Sequence, residues 1–260
     1  MTWSVLQVRY GERVARKGYV FHEYERYGLP DGEIPMEYSY WIVRDAGRTI
    51  LFDTGYHVPD YAEHDEVPLV PVPDGLALLD IDPLAVDTVV LSHFHYDHLG
   101  HLHLFRNATV VAHRRERDTW FARREAGELG RLVWPQHLDA VADAEREGRL
   151  RLLDGRTELE PGLEAIPIGG HSPGELLLRV RTAHGSLLLA SDAAHFQEEI
   201  DHDWPFFAFD DLQEMLDGFA EIRRLAAETD ATVIPGHDGR TRLRYPAAPG
   251  AGGEVAVILG

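Results

Sequence analysis

The stretch His93-Phe94-His95-Tyr96-Asp97-His98 decides how the rest of this chain is interpreted. It has the pattern H-x-H-x-D-H and follows the apolar run Val89-Val90-Leu91, which is typical of a buried strand. Imidazole nitrogens and carboxylate oxygens are the ligands that zinc and similar divalent metals accept. A strand that ends in a turn can direct its two histidines to one point, and the helix start that follows can direct Asp97 and His98 to a second. The pattern therefore favours a site for two metal ions.

Further candidate ligands occur downstream, each where a short apolar segment ends and a loop begins. They are His171 in Gly169-Gly170-His171-Ser172-Pro173-Gly174, Asp192 after Leu187-Leu188-Leu189-Ala190, and His237 in Val233-Ile234-Pro235-Gly236-His237-Asp238. Strand ends carry binding and catalytic residues in layered α/β proteins, because the strands hold them rigidly. We therefore interpret the histidine-rich stretch as part of a metal site and not as a surface turn.

Length and composition are those of a globular protein. The chain has 260 residues, of which 44% are hydrophobic and 27% charged, and no break in composition marks a linker. We therefore expect a single domain over residues 1–260. Because the chain has no cysteine, any metal must be held by histidines and carboxylates. The net charge of −19 disfavours a nucleic-acid partner, since an acidic surface repels phosphate backbones.

Targeting and membrane signals are not found. The N-terminal residues lack a basic region followed by an apolar core, and no apolar run approaches the ~20 residues of a membrane span. We expect a cytoplasmic protein with a small-molecule substrate and no membrane partner. Both a monomer and a homodimer stay open.

Hydrophobic periodicity favours a mixed α/β fold with the metals between two halves. Strands are predicted over residues 3–10, 38–43, 49–52, 88–91, 108–112, 150–153, 163–168, 176–180, 186–190, 232–234 and 254–259. Helices are predicted over residues 75–79, 99–105, 114–125, 138–147 and from an N-cap at Asp210 or Asp211 to about Glu228. Residues 19–40 are expected to form an irregular arm or hairpin, and the proline-rich residues 56–75 a wall of the substrate pocket.

The combination of these motifs resembles the metallo-β-lactamase superfamily, from Phe52-Asp53-Thr54-Gly55 to His237. Within that superfamily the chain is most similar to the N-acyl-homoserine-lactone lactonases, through the run Asp192-Ala193-Ala194-His195-Phe196, Pro205-Phe206 and the ending at His237-Asp238. The 4-pyridoxolactonases share much of the same frame. The resemblance implies a four-layer αββα sandwich.

The resemblance also implies a role for each candidate ligand. The first metal would be held by His93, His95 and His171, the second by Asp97, His98 and His237, and Asp192 would bridge the two. We expect two zinc ions, although such ligands also suit iron, manganese and cobalt. Asp53 would support the ligands without binding metal, or it simply caps a turn.

The implied activity is the opening of a lactone ring, above all that of an N-acyl-homoserine lactone, which is the reaction of quorum quenching. A hydroxide that bridges the metals would attack the ester carbonyl, because the two cations lower the pKa of water towards about 7. Asp97 would exchange a proton with this water and deliver it to the leaving group. The chain has no G-x-S-x-G elbow, so serine-hydrolase chemistry is disfavoured.

Three positions depart from the pattern of the resembling family. His195 stands where the best-known lactonases have a tyrosine that contacts the substrate carbonyl; we predict that His195 is catalytic, since an imidazole can also donate a hydrogen bond or a proton. Glu175 replaces a histidine that is not usually a ligand, and His101 replaces a glycine. Neither His101 nor His103 is expected to bind metal.

Two alternatives stay open. The substrate is another lactone, such as a pyridoxolactone, or a thiolester of the glyoxalase II type, for which Arg240, Arg242 and Arg244 are candidates for a basic patch. A pocket lined by arginines and polar groups would favour these substrates over an acyl chain. More remotely, the chain binds metal without turnover.

Overall fold

The computed structural model describes residues 2–56 and 67–260. The strands of this part are β1 (Ser4–Arg16), β2 (Glu33–Arg44), β3 (Thr49–Phe52), β4 (Val67–Pro68), β5 (Thr88–Val90), β6 (Thr109–His113), β7 (Leu150–Leu153), β8 (Thr157–Glu160), β9 (Leu163–Pro167), β10 (Leu176–Thr182), β11 (Gly185–Ser191), β12 (Ala231–Pro235) and β13 (Ala256–Ile258). Its α-helices are α1 (Lys17–Val20), α2 (Val72–Leu78), α3 (Tyr96–Leu99), α4 (Arg114–Ala126), α5 (Pro135–Arg146), α6 (Gln197–His202) and α7 (Leu212–Thr229).

The strands form two sheets. The larger has the order β13-β1-β2-β3-β5-β6-β7, with β4 paired to β1, and the smaller has the order β12-β11-β10-β9-β8. Strands β3, β5, β6 and β7 run parallel, and so do β11 and β12. Parallel neighbours end at the same edge of a sheet, so the loops that follow β11 and β12 lie side by side.

The two sheets face each other across an apolar core. Trp41, Phe52 and Val90 of the larger sheet share one buried cluster with Leu178 and Leu189 of the smaller sheet. Successive side chains of a strand point to opposite faces. On β5 and β11, the side chains that alternate with these core residues therefore point to the outer face of the sheet, towards the helices.

Helices cover the outer faces of both sheets. Helix α4 lies against β6 and α5 against β7, while α7 lies against β11 and β12. Helix α7 begins after Asp211, whose side chain accepts a hydrogen bond from the Glu214 amide, and it buries Phe219 and Ile222. The predicted mixed α/β fold, with the four layers αββα, is confirmed. No helix in the described ranges has the length and apolar character needed to cross a bilayer.

Several local predictions needed correction. The irregular arm or hairpin expected over residues 19–40 is in part the long β1–β2 hairpin, since β2 begins at Glu33 and not at the predicted Tyr38. Residues 21–32 are mostly irregular, with a short 3-10 helix over Tyr24–Tyr27. The helix predicted over residues 99–105 is not formed as one element. Helix α3 ends at Leu99 and itself carries Asp97 and His98, and only a 3-10 turn over Leu102–Leu104 follows. Strand β8 and helix α6 were not predicted. Of the predicted pocket wall over residues 56–75, residues 57–66, including His57, Tyr61 and His64, lie outside the described residues.

Candidate metal centre

The predicted ligands follow the ends of strands from both sheets. The His93–His98 stretch follows β5, His171 lies between β9 and β10, Asp192 directly follows β11, and His237 follows β12. Because β11 and β12 are parallel neighbours, Asp192 and His237 emerge together at one edge of the smaller sheet. The fold therefore collects residues that are far apart in sequence at the seam between the sheets.

The structure brings all of the predicted ligands together in two buried groups. His93, His95 and His171 form one, and Asp97, His98, Asp192 and His237 form the other, with the candidate ligand atoms of each group within 4.8 Å of one another. Asp192 lies between the groups. Its Oδ2 is 3.4 Å from His171 Nε2, and its Oδ1 is 3.4 Å from His98 Nε2 and 3.0 Å from His237 Nε2.

Hydrogen bonds on the far side of the imidazoles fix the direction of their rings. The partners of the Nδ1 atoms are Ser92 Oγ for His93 at 2.9 Å, Asp53 Oδ2 for His98 at 2.9 Å, the Ala208 carbonyl for His171 at 2.9 Å and the Glu37 carbonyl for His237 at 2.8 Å. A ring whose Nδ1 is held in this way presents Nε2 to a metal. Asp53 thus has the supporting position that the resemblance implied.

The residues fit a pair of divalent cations. Four buried atoms that face the site, His93 Nε2, His98 Nε2, His195 Nε2 and Asp192 Oδ1, have no hydrogen-bond partner. Buried polar atoms are seldom left unsatisfied, because their desolvation is then uncompensated. Nitrogen and oxygen donors that converge in this way are the arrangement that a metal ion completes.

The electrostatics of the groups agree with metal binding. Burial lowers the pKa of His95 to about 4 and holds the pKa values of His93 and His171 well below the usual range, so these imidazoles are neutral at pH 7. Burial also opposes ionisation of Asp97, but the neighbouring His98 outweighs it and lowers the pKa of Asp97 to about 2. Neutral imidazoles and ionised carboxylates are the protonation states that ligands require. His98 differs, because burial opposes its charged form but Asp192, Asp97 and Asp53 outweigh burial and raise its pKa well above the usual value, so a metal ion there would displace its proton.

His195, predicted to be catalytic, lies at the same centre. It is 1% exposed, and its Nε2 is 3.1 Å from Asp192 Oδ2. His171, Asp192 and His195 form a third group with the ligand-atom spacing of a metal site. Glu175 is also buried, but its Oε1 is 3.8 Å from His93 Nδ1, on the far side of that ring. The departures at positions 195 and 175 therefore differ, since only His195 faces the ligand atoms.

Other histidines lie apart from the centre. Among the described residues, none of the groups with metal-ligand spacing includes His101, His103 or His184. His184 is exposed in the turn between β10 and β11.

Sequence reasoning missed Glu116, which ties two ligand loops together. Its buried carboxylate on α4 accepts hydrogen bonds from the backbone amides of Phe94 and Gly174, and from the side chains of Ser172 and Trp120. Phe94 lies between two predicted ligands, and Ser172 follows a third. No local signal marks Glu116, because α4 is charged along most of its length.

A small cavity opens onto the ligand atoms. It has a volume of about 70 Å³, and its apolar wall includes Tyr19, Met36, Leu132, Phe206 and Phe207. Arg13 lines the same cavity. An adjoining groove of about 410 Å³ shares His95, His171, Leu132 and Phe207 with the cavity and extends past Trp120 and Arg123. The centre is therefore accessible to a small molecule through a mouth of mixed character, in which the apolar side chains stand beside Arg13, Arg123 and Arg131.

The sequence is similar to those of a known protein family. The family described as metallo-beta-lactamase superfamily matches residues 35–237. The chain is 26% identical to an N-acyl homoserine lactonase of Bacillus thuringiensis over 188 residues, which cover 72% of this chain and 68% of that protein. It is 28% identical to the N-acyl homoserine lactonase AiiB of Rhizobium rhizogenes over 235 residues, which cover 79% and 80%.

Solved structures show the same fold. A quorum-quenching N-acyl homoserine lactone hydrolase superposes with a TM-score of 0.73 at 21% identity, covering 93% of this chain and 95% of that one. AidC, a dizinc quorum-quenching lactonase in complex with the product N-hexanoyl-L-homoserine, superposes with a TM-score of 0.71 at 18% identity, covering 90% and 87%.

Proposed function

The chain belongs to the metallo-beta-lactamase superfamily, and from this premise we propose that it is a metal-dependent hydrolase that opens lactone rings, with N-acyl-homoserine lactones as the preferred substrates. The observation that carries the proposal is the placement of Asp192, whose two carboxylate oxygens face different sets of histidines. A carboxylate in that position is suited to bridging two cations. The similarity to N-acyl homoserine lactonases supports the choice of substrate.

The proposed ligands are the seven residues predicted from the sequence: His93, His95 and His171 for one ion, Asp97, His98 and His237 for the other, and Asp192 for both. When bound, two divalent ions would supply Lewis acidity towards the lactone carbonyl and a water of lowered pKa. Zinc is the expected metal. Residues 1–260 are proposed to form one domain, for which the pairing of β1 with β13 is support.

The side chains at the centre have distinct tasks in this proposal. Asp97, whose backbone carbonyl accepts a hydrogen bond from Tyr10 Oη at 2.7 Å, is held with its carboxylate towards His98 and His237. It would take a proton from the attacking water and deliver it to the alkoxide leaving group. His195 is proposed as the second catalytic residue, because its Nε2 lies 3.1 Å from Oδ2 of Asp192 at the candidate metal centre.

The apolar part of the mouth would receive the acyl chain of the substrate. Tyr19, Met36 and Phe207 provide apolar surface next to the ligand atoms, and burial of each methylene on such a surface contributes about 0.8 kcal/mol. The thiolester alternative is less well supported. Arg240, a candidate for its basic patch, is already paired with Glu198 and Asp238, and Arg242 lies 3.8 Å from Glu37.

The function is tested by measuring acid release from N-acyl-homoserine lactones of several chain lengths with zinc- or cobalt-loaded protein. We expect turnover by the wild type, and a loss of at least about 100-fold in kcat for Asp97→Asn, in line with the loss of a general acid–base group. His184→Ala, which removes an exposed histidine far from the centre, is the matched control and should retain wild-type activity. Turnover no greater than that of Asp97→Asn on every lactone would refute this substrate class.

Metal analysis separates the remaining alternatives. Two equivalents of metal together with hydrolysis of a thiolester, but of no lactone, would favour the glyoxalase II type of substrate. Two equivalents without hydrolysis across a broad ester panel would favour a metal-binding protein without turnover.

A further inference from the structure

The His195 ring is held from three directions. Phe206 stacks on its face, with ring centroids 3.6 Å apart and an angle of 13° between the planes. Its Nδ1 faces Glu199 Oε2 at 3.5 Å, and its Nε2 faces Asp192 Oδ2 at 3.1 Å. The ring therefore has one orientation, in which each nitrogen has a different carboxylate opposite it.

Glu199 is itself rigidly placed. It lies in the first turn of α6 and has no exposed surface. Its Oε1 accepts hydrogen bonds from the backbone amides of His195 and Phe196, both at 3.0 Å. The carboxylate also faces the imidazole, with Oε1 3.4 Å and Oε2 3.5 Å from His195 Nδ1. Because Oε1 already accepts from two amides, Oε2 is the oxygen left to accept a hydrogen bond from the ring.

The placement of Glu199 selects one tautomer of His195. An ionised carboxylate only accepts hydrogen bonds, so the nitrogen that faces Glu199 carries the proton. The other nitrogen, Nε2, then presents its lone pair to the centre. Nε2 is buried and has no hydrogen-bond partner, and it belongs to the third group with metal-ligand spacing, together with His171 and Asp192. Histidines that ligate metals commonly donate their other N–H to a carboxylate in this way.

We propose that Glu199 and His195 form a carboxylate–imidazole pair that adds His195 Nε2 to the centre as a further metal ligand, beside His171 and Asp192. The tyrosine that the best-known lactonases have at this position would bring a hydroxyl group to the centre. The imidazole of His195 brings a nitrogen lone pair instead. The inference rests on the proposed two-metal centre. Glu199 acts as a positioning residue, because it touches His195 and not the metal.

The count of ligating nitrogens tests the proposal without any substitution. Protein labelled with ¹⁵N-histidine and loaded with ¹¹³Cd shows a scalar coupling for each imidazole nitrogen bound to cadmium. We expect six coupled imidazoles, which are those of His93, His95, His98, His171 and His237 together with that of His195. Five coupled imidazoles, with His195 uncoupled, would overturn the proposal that His195 is a ligand. Hydrolysis of lactones by the same protein would show that the proposed function is correct even though this further proposal is wrong.

Glu199→Gln tests the role of the carboxylate. The amide oxygen can keep the two backbone hydrogen bonds, but the NH₂ group then faces Nδ1 and donates to it, which moves the ring proton to Nε2 and blocks ligation. The same exchange of acceptor for donor imposes the wrong histidine tautomer when the aspartate of a serine-protease triad is replaced by asparagine. We expect zinc affinity, measured by chelator competition, to fall 10- to 100-fold.

The adjacent Glu198→Gln is the matched control. Glu198 lies on the same helix and pairs with Arg240 and Lys17, away from the imidazole, so wild-type zinc affinity is expected. His195→Phe, which removes the ring nitrogens but keeps a ring for Phe206 to stack on, should lose zinc affinity at least as strongly as Glu199→Gln. Wild-type zinc affinity and an unchanged cobalt absorption spectrum in His195→Phe would contradict the proposal.

Discussion

The Nδ1 atom of His98 lies 2.9 Å from Oδ2 of Asp53, although 45 residues separate them in the chain. The same carboxylate accepts hydrogen bonds from the hydroxyls of Ser92 and Ser191 and from the Ser92 amide. Asp53 thus joins the end of β3 to the loops after β5 and β11. Its backbone has a φ of 67°, a left-handed conformation that directs the side chain under the centre.

Asp53→Asn should weaken metal binding without changing a ligand. The asparagine side chain has nearly the same volume, but its NH₂ group cannot accept the hydrogen bonds that the lost oxygen accepts. We expect a 10- to 100-fold loss of zinc affinity, as is usual when a hydrogen-bond partner of a ligating histidine is removed. Zinc titration against a chelator measures it. Asp217→Asn, an exposed position on α7, is the control, and equal affinities of the two variants would contradict the supporting role of Asp53.

Removal of the metals should lower thermal stability. The centre holds the carboxylates of Asp53, Asp97 and Asp192 buried together, and without cations their mutual repulsion is offset only by histidines. Metal at 100 times its dissociation constant adds about 2.7 kcal/mol of stability, or roughly 5–10 °C in Tm for a chain of this size. Differential scanning fluorimetry with EDTA, and then with zinc restored, measures the shift. An identical Tm in both conditions would argue against a metal centre among these residues.

Gly170→Ala should destabilise the fold and disturb His171. The φ of Gly170 is +121°, and a Cβ added there would lie 2.3 Å from both Cα and N of Met215, at the start of α7. Because the obstructing atoms are backbone, we expect a loss of roughly 3 kcal/mol or more in the free energy of unfolding, as for strain and overpacking combined. Urea unfolding measures it. Gly47→Ala, where an added Cβ meets nothing within 4 Å, should be close to neutral.

Tyr19 and Phe207 should set the response to acyl-chain length. Their rings lie 5.0 Å apart at the mouth of the cavity, and they are 57% and 40% exposed. If these two rings cover the acyl chain, kcat/KM of the wild type should rise about fourfold for each added methylene that is buried, at ~0.8 kcal/mol each. In Tyr19→Ala and Phe207→Ala this rise should be smaller. Short-chain lactones should be affected least. Leu243→Ala, which removes another exposed apolar side chain, is the control; a parallel loss at all chain lengths would exclude this role.

Glu164 should make stability depend on pH in the acid range. Burial opposes its ionisation, but hydrogen bonds from Arg156 and the charge of Arg179 outweigh burial and lower the pKa of Glu164 below its usual value of 4.5. A carboxylate with a lowered pKa stabilises the folded state above the unfolded pKa, and this contribution is lost as the pH falls through the folded pKa. Glu164→Gln should therefore cost about 1 kcal/mol at pH 7 and progressively less below about pH 4.5.

Urea unfolding of wild type and Glu164→Gln across this pH range measures the difference. Glu158→Gln, on the neighbouring strand β8, keeps both arginine partners of Glu164 and serves as the control. A difference between wild type and Glu164→Gln that stays constant with pH would show that the carboxylate charge is not its source.

The sequence predicted the elements with strong local signals more accurately than the others. Helix α7 has apolar residues at helical spacing and an N-cap at Asp211, and its predicted bounds agree with the structure to within about a turn. Strand β2 is buried on both faces from Met36 to Val43, so it lacks alternation there, and the predicted strand covered only residues 38–43 of its twelve residues. Helix α6 is six residues long, which is too short for a periodic signal.

The sequence by itself determined the chemistry of the centre. A compact His and Asp motif follows one apolar strand, and further His and Asp residues follow other strands. Residue type and strand end are both local properties of the chain, so the sequence alone identifies these residues as candidate ligands. Only the tertiary structure decided which groups stand behind the ligands. Asp53 behind His98, Glu116 between the ligand loops and Glu199 behind His195 are ordinary carboxylates in sequence. Their roles arise from side-chain directions and from contacts across the fold, which depend on packing and not on local pattern.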